Sequence, residues 1–186
     1  MKSRSRIIKN EIRDKITEVE VKYDVKLSTT QKILLSINGP VTTVLDVLYG
    51  EVGLFMLDQH FENADKETAE LLGIEENDEI IYRNSIVFKN SRPLVYVVSY
   101  IPTSRCSDDT IDDLLSSGLT TGKIMSTHNI ETVRKITKID IEESTPILTE
   151  LFKTTEDMLT REYTMTHKKE IVIWTKELYP LSYFKI

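Results

Sequence analysis

Arg83 and Glu177 are the residues of this chain whose positions most suggest a chemical role. Each lies in a run of mainly apolar residues typical of a β-strand, residues 79–88 for Arg83 and 171–180 for Glu177. Removing a guanidinium or a carboxylate from water costs several kcal/mol unless the charge is paired or bound. The two residues therefore predict a polar, ligand-sized cavity in the core. The alternative is that the two-residue period of a strand turns both side chains to solvent.

The other reactive residue types favour chemistry without a metal or a cofactor. The three histidines, His60, His128 and His167, are far apart and have no partner at a spacing typical of metal ligands. We interpret them as surface or half-buried histidines. Cys106 lies beside Ser107, Asp108 and Asp109, and neighbouring carboxylates oppose thiolate formation. No phosphate-binding glycine loop and no HExxH motif occurs in the sequence.

Length and composition indicate one soluble domain. The chain has 186 residues, of which 40% are hydrophobic and 29% charged, enough to bury a large core. The formal charge of -6 argues against broad adhesion to nucleic acid but says little against a small anion. A single cysteine excludes an intrachain disulfide. The basic start leads into Glu11 and Asp14 without an apolar signal segment, and no run could cross a membrane, so we expect a cytoplasmic protein.

The order of helical and strand patterns predicts an α+β fold over residues 1–186, with residues 1–26 as an N-terminal helical extension. Helical spacing and capping residues predict helices near residues 8–19, 31–37, 42–48, 65–72, 108–115, 121–125 and 145–152. Alternating patterns predict about six strands, at residues 52–61, 79–89, 94–101, 130–141, 159–166 and 171–178. Sequential hairpins favour a single, mainly antiparallel sheet.

Six short segments, taken in order, resemble the chorismate lyase (chorismate–pyruvate lyase) superfamily, especially its archaeal branch. Each is weak alone, and their order and spacing make the case. They are residues 27–45 (LSTTQKILLSINGPVTTVL), 81–94 (IYRNSIVFKNSRPL), 99–102 (SYIP), 121–123 (TGK), 131–134 (ETVR) and 175–180 (TKELYP).

The resemblance implies an antiparallel sheet whose helical flaps enclose a buried site. It implies a lyase that eliminates pyruvate from chorismate to give 4-hydroxybenzoate, with no metal and no cofactor. UTRA ligand-binding domains of transcription regulators share this fold, so a non-catalytic module for an aromatic or anionic ligand is the alternative. About 26 residues precede the matched region, so we expect no winged-helix DNA reader.

The resemblance also implies site residues. Arg83 lies in the segment that carries the family's substrate-binding arginine, and Glu177 in the segment with its glutamate, so both are candidate catalytic and substrate-binding residues. Gly122 and Lys123 lie in the family's glycine turn, and Gly122 is otherwise a plain turn residue. Arg134 would hold the enolpyruvyl carboxylate, or form an ion pair with an acid such as Glu131.

This chain also departs from the family's bacterial enzymes. They carry a Gly-Arg pair where this chain has Val97-Val98, and the segment of residues 144–156 differs from theirs. These differences concern the contacts on the pyruvate side of the substrate.

Overall fold

The computed structural model describes residues 2–116 and 118–185, with side chains from residue 11 onward. Met1, Ser117 and Ile186 lie outside this description. The side chains of residues 2–10 also lie outside it, among them Ile8, where the first predicted helix begins. The described part contains seven α-helices, one 3-10 turn and six strands. The helices are α1 (Lys2–Lys22), α2 (Thr29–Ser36), α3 (Val41–Tyr49), α4 (Lys66–Leu72), α5 (Asp108–Ser116), α6 (Thr121–Thr127) and α7 (Pro146–Phe152). The strands are β1 (Gly53–Asn63), β2 (Glu79–Lys89), β3 (Arg92–Pro102), β4 (Val133–Glu142), β5 (Met158–His167) and β6 (Glu170–Pro180).

All six strands form one antiparallel sheet in the order β1-β2-β3-β6-β5-β4. The predicted α+β class and antiparallel sheet are therefore confirmed. The last strand, β6, lies between β3 and β5, so the two halves of the chain meet at the centre of the sheet. In this order only β3 separates β2, which carries Arg83, from β6, which carries Glu177.

Local capping signals set the helix ends that the sequence predicts. The Ser28 side chain accepts from the backbone N–H of Gln31, whose own side chain accepts from Ser28 in return. Thr145 caps α7, with Pro146 at its first position. The expected strand at residues 130–141 begins at Val133 instead, because the backbone N–H of Ile130 donates to Met125 O and closes the turn after α6.

The two faces of the sheet pack against different helices. Helices α1, α2, α3, α5 and α6 cover one face, which we call the site face. Helices α4 and α7 pack separately on the opposite face. Because side chains alternate along a strand, Arg83 and Glu177 both belong to the site face, on which Val87, Val95 and Tyr179 are also buried. No helix in the described ranges is long and apolar enough to cross a membrane.

Candidate functional site

Arg83 is buried on the site face and lacks a carboxylate partner. Its residue is 3% exposed, which excludes the solvent-facing alternative. Nη1 donates to Thr121 Oγ1 and Nη2 to the carbonyl of Leu119, both at 3.2 Å, while the buried Nε has no partner. No carboxylate of the described residues lies within ion-pair distance. Burial lowers the pKa of Arg83 to about 10, so the group remains protonated at neutral pH with much of its charge uncompensated.

Glu177 is equally buried, and its ionic partner is Arg161 of the neighbouring strand β5. Nε and Nη2 of Arg161 both donate to Glu177 Oε2, at 3.1 and 2.6 Å. The hydroxyl of Tyr163 donates to Oε1 at 3.2 Å. Burial raises the pKa of Tyr163 to about 12, so this phenol stays protonated and acts as a donor. Glu177 is therefore a carboxylate with partners on both of its oxygens.

Arg134, near the start of β4, lies against the ring of Tyr163, with its guanidinium carbon 4.2 Å from the ring centroid. Nη1 donates to the carbonyl of Gly39, between α2 and α3, and the buried Nε has no partner. Within the described part of the chain, no carboxylate forms an ion pair with Arg134, so the alternative pairing with Glu131 does not occur. Arg134 is a second guanidinium without a counter-charge.

These groups line one cavity between the sheet and the flaps. Its empty space is about 600 Å³ when the open mouth is included. Arg83, Glu177 and Arg134 all line it, so the predicted convergence of these residues occurs in the structure. The flaps contribute two short segments, residues 40–42 at the start of α3 and residues 119–122 at the start of α6. Leu54, Met56, Val87 and Val97 supply an apolar wall.

The floor of the cavity carries a pair of hydroxyls that sequence reasoning did not single out. Ser99 and Thr175 are register partners on β3 and β6, and their hydroxyl oxygens are 2.9 Å apart. The same row of the sheet continues to Arg83 on one side and to Tyr163 on the other. The floor is therefore a polar strip that connects the arginine at 83 to the ring beneath Arg134.

Gly122 and Lys123 occupy different positions relative to this cavity. Gly122 lines it, and a Cβ built on this residue would lie 3.8 Å from Arg134 Nη2. The side chain of Lys123 is exposed and is not among the lining residues. Its backbone N–H donates to the carbonyl of Thr120 at 2.9 Å, as part of the cap of α6. Gly122 therefore places backbone at the cavity wall, whereas the Lys123 side chain faces water.

The remaining reactive residues lie away from the cavity. His60 interacts with Asp58 and Glu62, and His128 with Asp113, while His167 Nδ1 lies 2.8 Å from the carbonyl oxygen of Glu131. Among the residues that the structure describes, no group of histidine, cysteine and acidic side chains is arranged to hold a metal ion. Burial raises the pKa of the Cys106 thiol to about 11, which keeps it protonated.

Sequence comparison assigns the chain to a family. The family described as chorismate pyruvate-lyase Rv2949c-like matches residues 35–185, so this chain belongs to it. The chain is also 32% identical over 160 residues to a Methanocaldococcus jannaschii protein named "Putative lyase MJ0807". That alignment covers 82% of this chain and 79% of the relative. The resemblance inferred from the six short segments is thus confirmed.

Solved structures of transcription regulators have the same fold. PhnF from Mycobacterium smegmatis superposes with a TM-score of 0.65 at 13% identity, over 76% of this chain and 64% of PhnF. A GntR-family regulator from Bacillus cereus gives 0.61 at 13% identity, over 73% of this chain and 95% of the regulator. The C-terminal domain of the histidine utilization repressor from Pseudomonas syringae gives 0.61, also at 13%, over 70% and 92%. The predicted relationship to UTRA domains is confirmed at the level of the fold.

Proposed function

We propose that this protein is a chorismate–pyruvate lyase that converts chorismate to 4-hydroxybenzoate and pyruvate without a metal or a cofactor. The observation that carries the proposal is the charge arrangement of the cavity. Two buried or half-buried guanidinium groups, Arg83 and Arg134, lack carboxylate partners, and both line the same space as the Glu177 carboxylate. A cyclic molecule with two carboxylates and one hydroxyl complements this arrangement.

The two arginines divide the two carboxylates of chorismate between them. Arg83 lies beside the flap of residues 119–122, and we assign it the ring carboxylate. Arg134 lies over Tyr163 and takes the enolpyruvyl carboxylate, with Gly122 allowing close approach of the backbone. Lys123, exposed one residue further along, would attract the anion through its charge without contacting it.

The reaction requires little covalent work from the protein. The proton on the ring carbon that bears the hydroxyl leaves, and the bond from the neighbouring carbon to the enolpyruvyl oxygen breaks. Enolpyruvate then takes a proton to become pyruvate, and the ring becomes aromatic. Glu177 accepts a hydrogen bond from the ring hydroxyl and is the candidate base for the proton on the ring carbon that bears this hydroxyl. The remaining acceleration comes from two effects: the site orients the substrate, and Arg134 stabilises the negative charge that develops on the enolate.

A second candidate is a ligand-binding module without turnover. The observation that favours it is the fold shared with GntR-family regulators, one of which is solved as a ligand-binding domain. Such a module would bind 4-hydroxybenzoate or a similar anion in the same cavity. It would not release pyruvate from chorismate.

Pyruvate release, followed by coupling to lactate dehydrogenase, separates the two candidates. We expect steady release from chorismate and a loss of about 100-fold or more in Glu177→Gln. Glu142→Gln is the matched control, since this carboxylate pairs with Lys176 at 2.6 Å on the opposite face of the sheet. It should stay within about twofold of the unsubstituted protein. Tight binding of 4-hydroxybenzoate with no pyruvate at any enzyme concentration would refute the lyase and support the module.

A further inference from the structure

Arg161 is the largest fully buried side chain of the described residues. It is 1% exposed and does not line the cavity. It lies behind Glu177, on the adjacent strand and in direct register with it. A group in this position cannot touch a molecule in the cavity and acts on it only through Glu177.

Arg161 uses its donors in two directions. Nε and Nη2 donate to a single oxygen of Glu177, Oε2. Nη1 donates to the carbonyls of Leu34 and Ile37 at the end of α2, at 2.6 and 3.1 Å. The end of a helix carries partial negative charge and unpaired carbonyls, so it stabilises a buried cation. The guanidinium is thus fixed from both sides, by the floor carboxylate and by the flap that leads to residues 40–42.

The arrangement determines which part of Glu177 is available. Both Arg161 bonds go to Oε2, whereas Oε1 accepts only from the neutral hydroxyl of Tyr163 in the described contacts. A carboxylate oxygen has two acceptor positions, so Oε1 retains capacity for a further donor.

We propose that Arg161 is a positioning residue that holds the Glu177 side chain in one orientation, so that Oε1 and the Tyr163 hydroxyl together contact the hydroxyl of the bound ring. Glu177 then acts first as a hydrogen-bond acceptor that orients the substrate. This inference rests on the proposed function for its substrate, but the geometry of the pair does not depend on it.

A double-mutant cycle tests whether Arg161 acts through Glu177. The affinity for 4-hydroxybenzoate is measured by calorimetry in the unsubstituted protein, Arg161→Gln, Glu177→Gln and the double variant. We expect Arg161→Gln to weaken binding about tenfold on its own and by less than about twofold when Glu177 is already glutamine. Equal losses in both backgrounds would overturn the proposal. Arg105→Gln is the control, because Arg105 also donates to three carbonyls, those of Leu72, Gly73 and Ile171, but does not line the cavity.

A second measurement reads the orientation of Glu177 directly, in crystal structures of the unsubstituted protein, Arg161→Gln and Arg105→Gln. We expect the 3.2 Å contact between Glu177 Oε1 and the Tyr163 hydroxyl to be lost in Arg161→Gln and kept in Arg105→Gln. An unchanged Glu177 orientation in Arg161→Gln would overturn the proposal. If Arg161→Gln does not fold, the comparison of Glu177→Gln with the double variant, which removes both charges, remains decisive, and a further tenfold loss there contradicts us.

The failure of this proposal is distinguishable from the failure of the proposed function. Absence of pyruvate release refutes the lyase but leaves the binding cycle informative. Absence of 4-hydroxybenzoate binding as well still leaves the comparison of Glu177 orientation, which needs no ligand.

Discussion

Replacement of Arg83 by methionine should raise the stability of the protein and lower its affinity for 4-hydroxybenzoate. The residue is 3% exposed, and burial lowers the pKa of its guanidinium from the ordinary arginine value to about 10, because it disfavours the charged form. A depression of this size corresponds to about 3 kcal/mol against the charged side chain. Because the folded-state pKa lies below the unfolded one, this penalty is fully present at neutral pH and is relieved only as the pH rises above about 10.

The net change in stability follows from what methionine gains and loses. It removes the penalty on the buried charge and gives up two hydrogen bonds of 3.2 Å, to Thr121 and Leu119, each worth about 1 kcal/mol. Methionine is flexible enough to follow much of the apolar stem of arginine. We therefore expect a gain of about 1 kcal/mol in the free energy of unfolding, or a rise of about 2–4 °C in the Tm.

The same substitution should weaken ligand binding. A hydrogen bond between charged groups contributes about 1.5–3 kcal/mol, so loss of the Arg83 contact should reduce affinity for 4-hydroxybenzoate by about 10- to 100-fold. Thermal unfolding followed by circular dichroism and titration calorimetry measure the two effects on the same sample. Arg105→Met is the control. Arg105 donates to carbonyls at 2.5 to 2.8 Å, so we expect its replacement to lower the Tm and leave the affinity unchanged. If Arg83→Met lowers the Tm as Arg105→Met does and leaves affinity unchanged, the reasoning is wrong.

Arg134→Met should raise the KM for chorismate about tenfold or more while changing the Kd for 4-hydroxybenzoate by less than about threefold, because the product lacks the second carboxylate. Equal effects on both ligands would contradict this assignment. Gly122→Ala should preserve or slightly raise the Tm, since its methyl has room and favours the helix, but it should weaken chorismate binding measured by steady-state kinetics. Cys106 should react with iodoacetamide about 100-fold more slowly than a free thiol near pH 8, with a rate that rises toward about pH 11. Rapid reaction near neutral pH would show that the thiol is not buried as described.

Local signals were sufficient to predict most of the elements. The helices predicted near residues 31–37 and 145–152 have Ser28 and Thr145 as their N-caps, and the helix predicted from Asp65 begins one residue later, with Asp65 as its N-cap. The predicted strand at residues 79–89 has the observed bounds, and the turn after it contains Asn90 and Ser91 with positive φ. These features depend on contacts within a few residues, and hydrophobic periodicity reports them directly. The burial of Arg83 and Glu177 followed from the cost of a charge in an apolar strand, once the resemblance favoured the buried alternative.

The partner of Glu177 depends on longer-range geometry. In β5, Arg161 precedes Glu162, and successive side chains point to opposite faces, so either one could be the buried charge. The hairpin turn at Lys168 and Lys169, continued in regular pairing, would place Arg161 opposite Lys176. A bulge between Met165 and Thr166 shifts the register by one residue and places it opposite Glu177 instead. The sequence carries no clear signal for that single bulge, so Arg161 could not be paired in advance.

The charge balance of the cavity connects these assignments to function. Arg161 and Glu177 compensate each other, which leaves Arg83 and Arg134 as two cations without counter-charges in a chain whose formal charge is -6. A dianion is therefore attracted locally although the molecule as a whole repels it. Elimination divides that dianion into two monoanions, each retained by one arginine, so both products compensate the site as well as the substrate does. Product release should then be slow, and 4-hydroxybenzoate added at the start of the reaction should inhibit pyruvate release. Undiminished initial rates in the presence of 4-hydroxybenzoate would show that Arg83 does not hold the ring carboxylate.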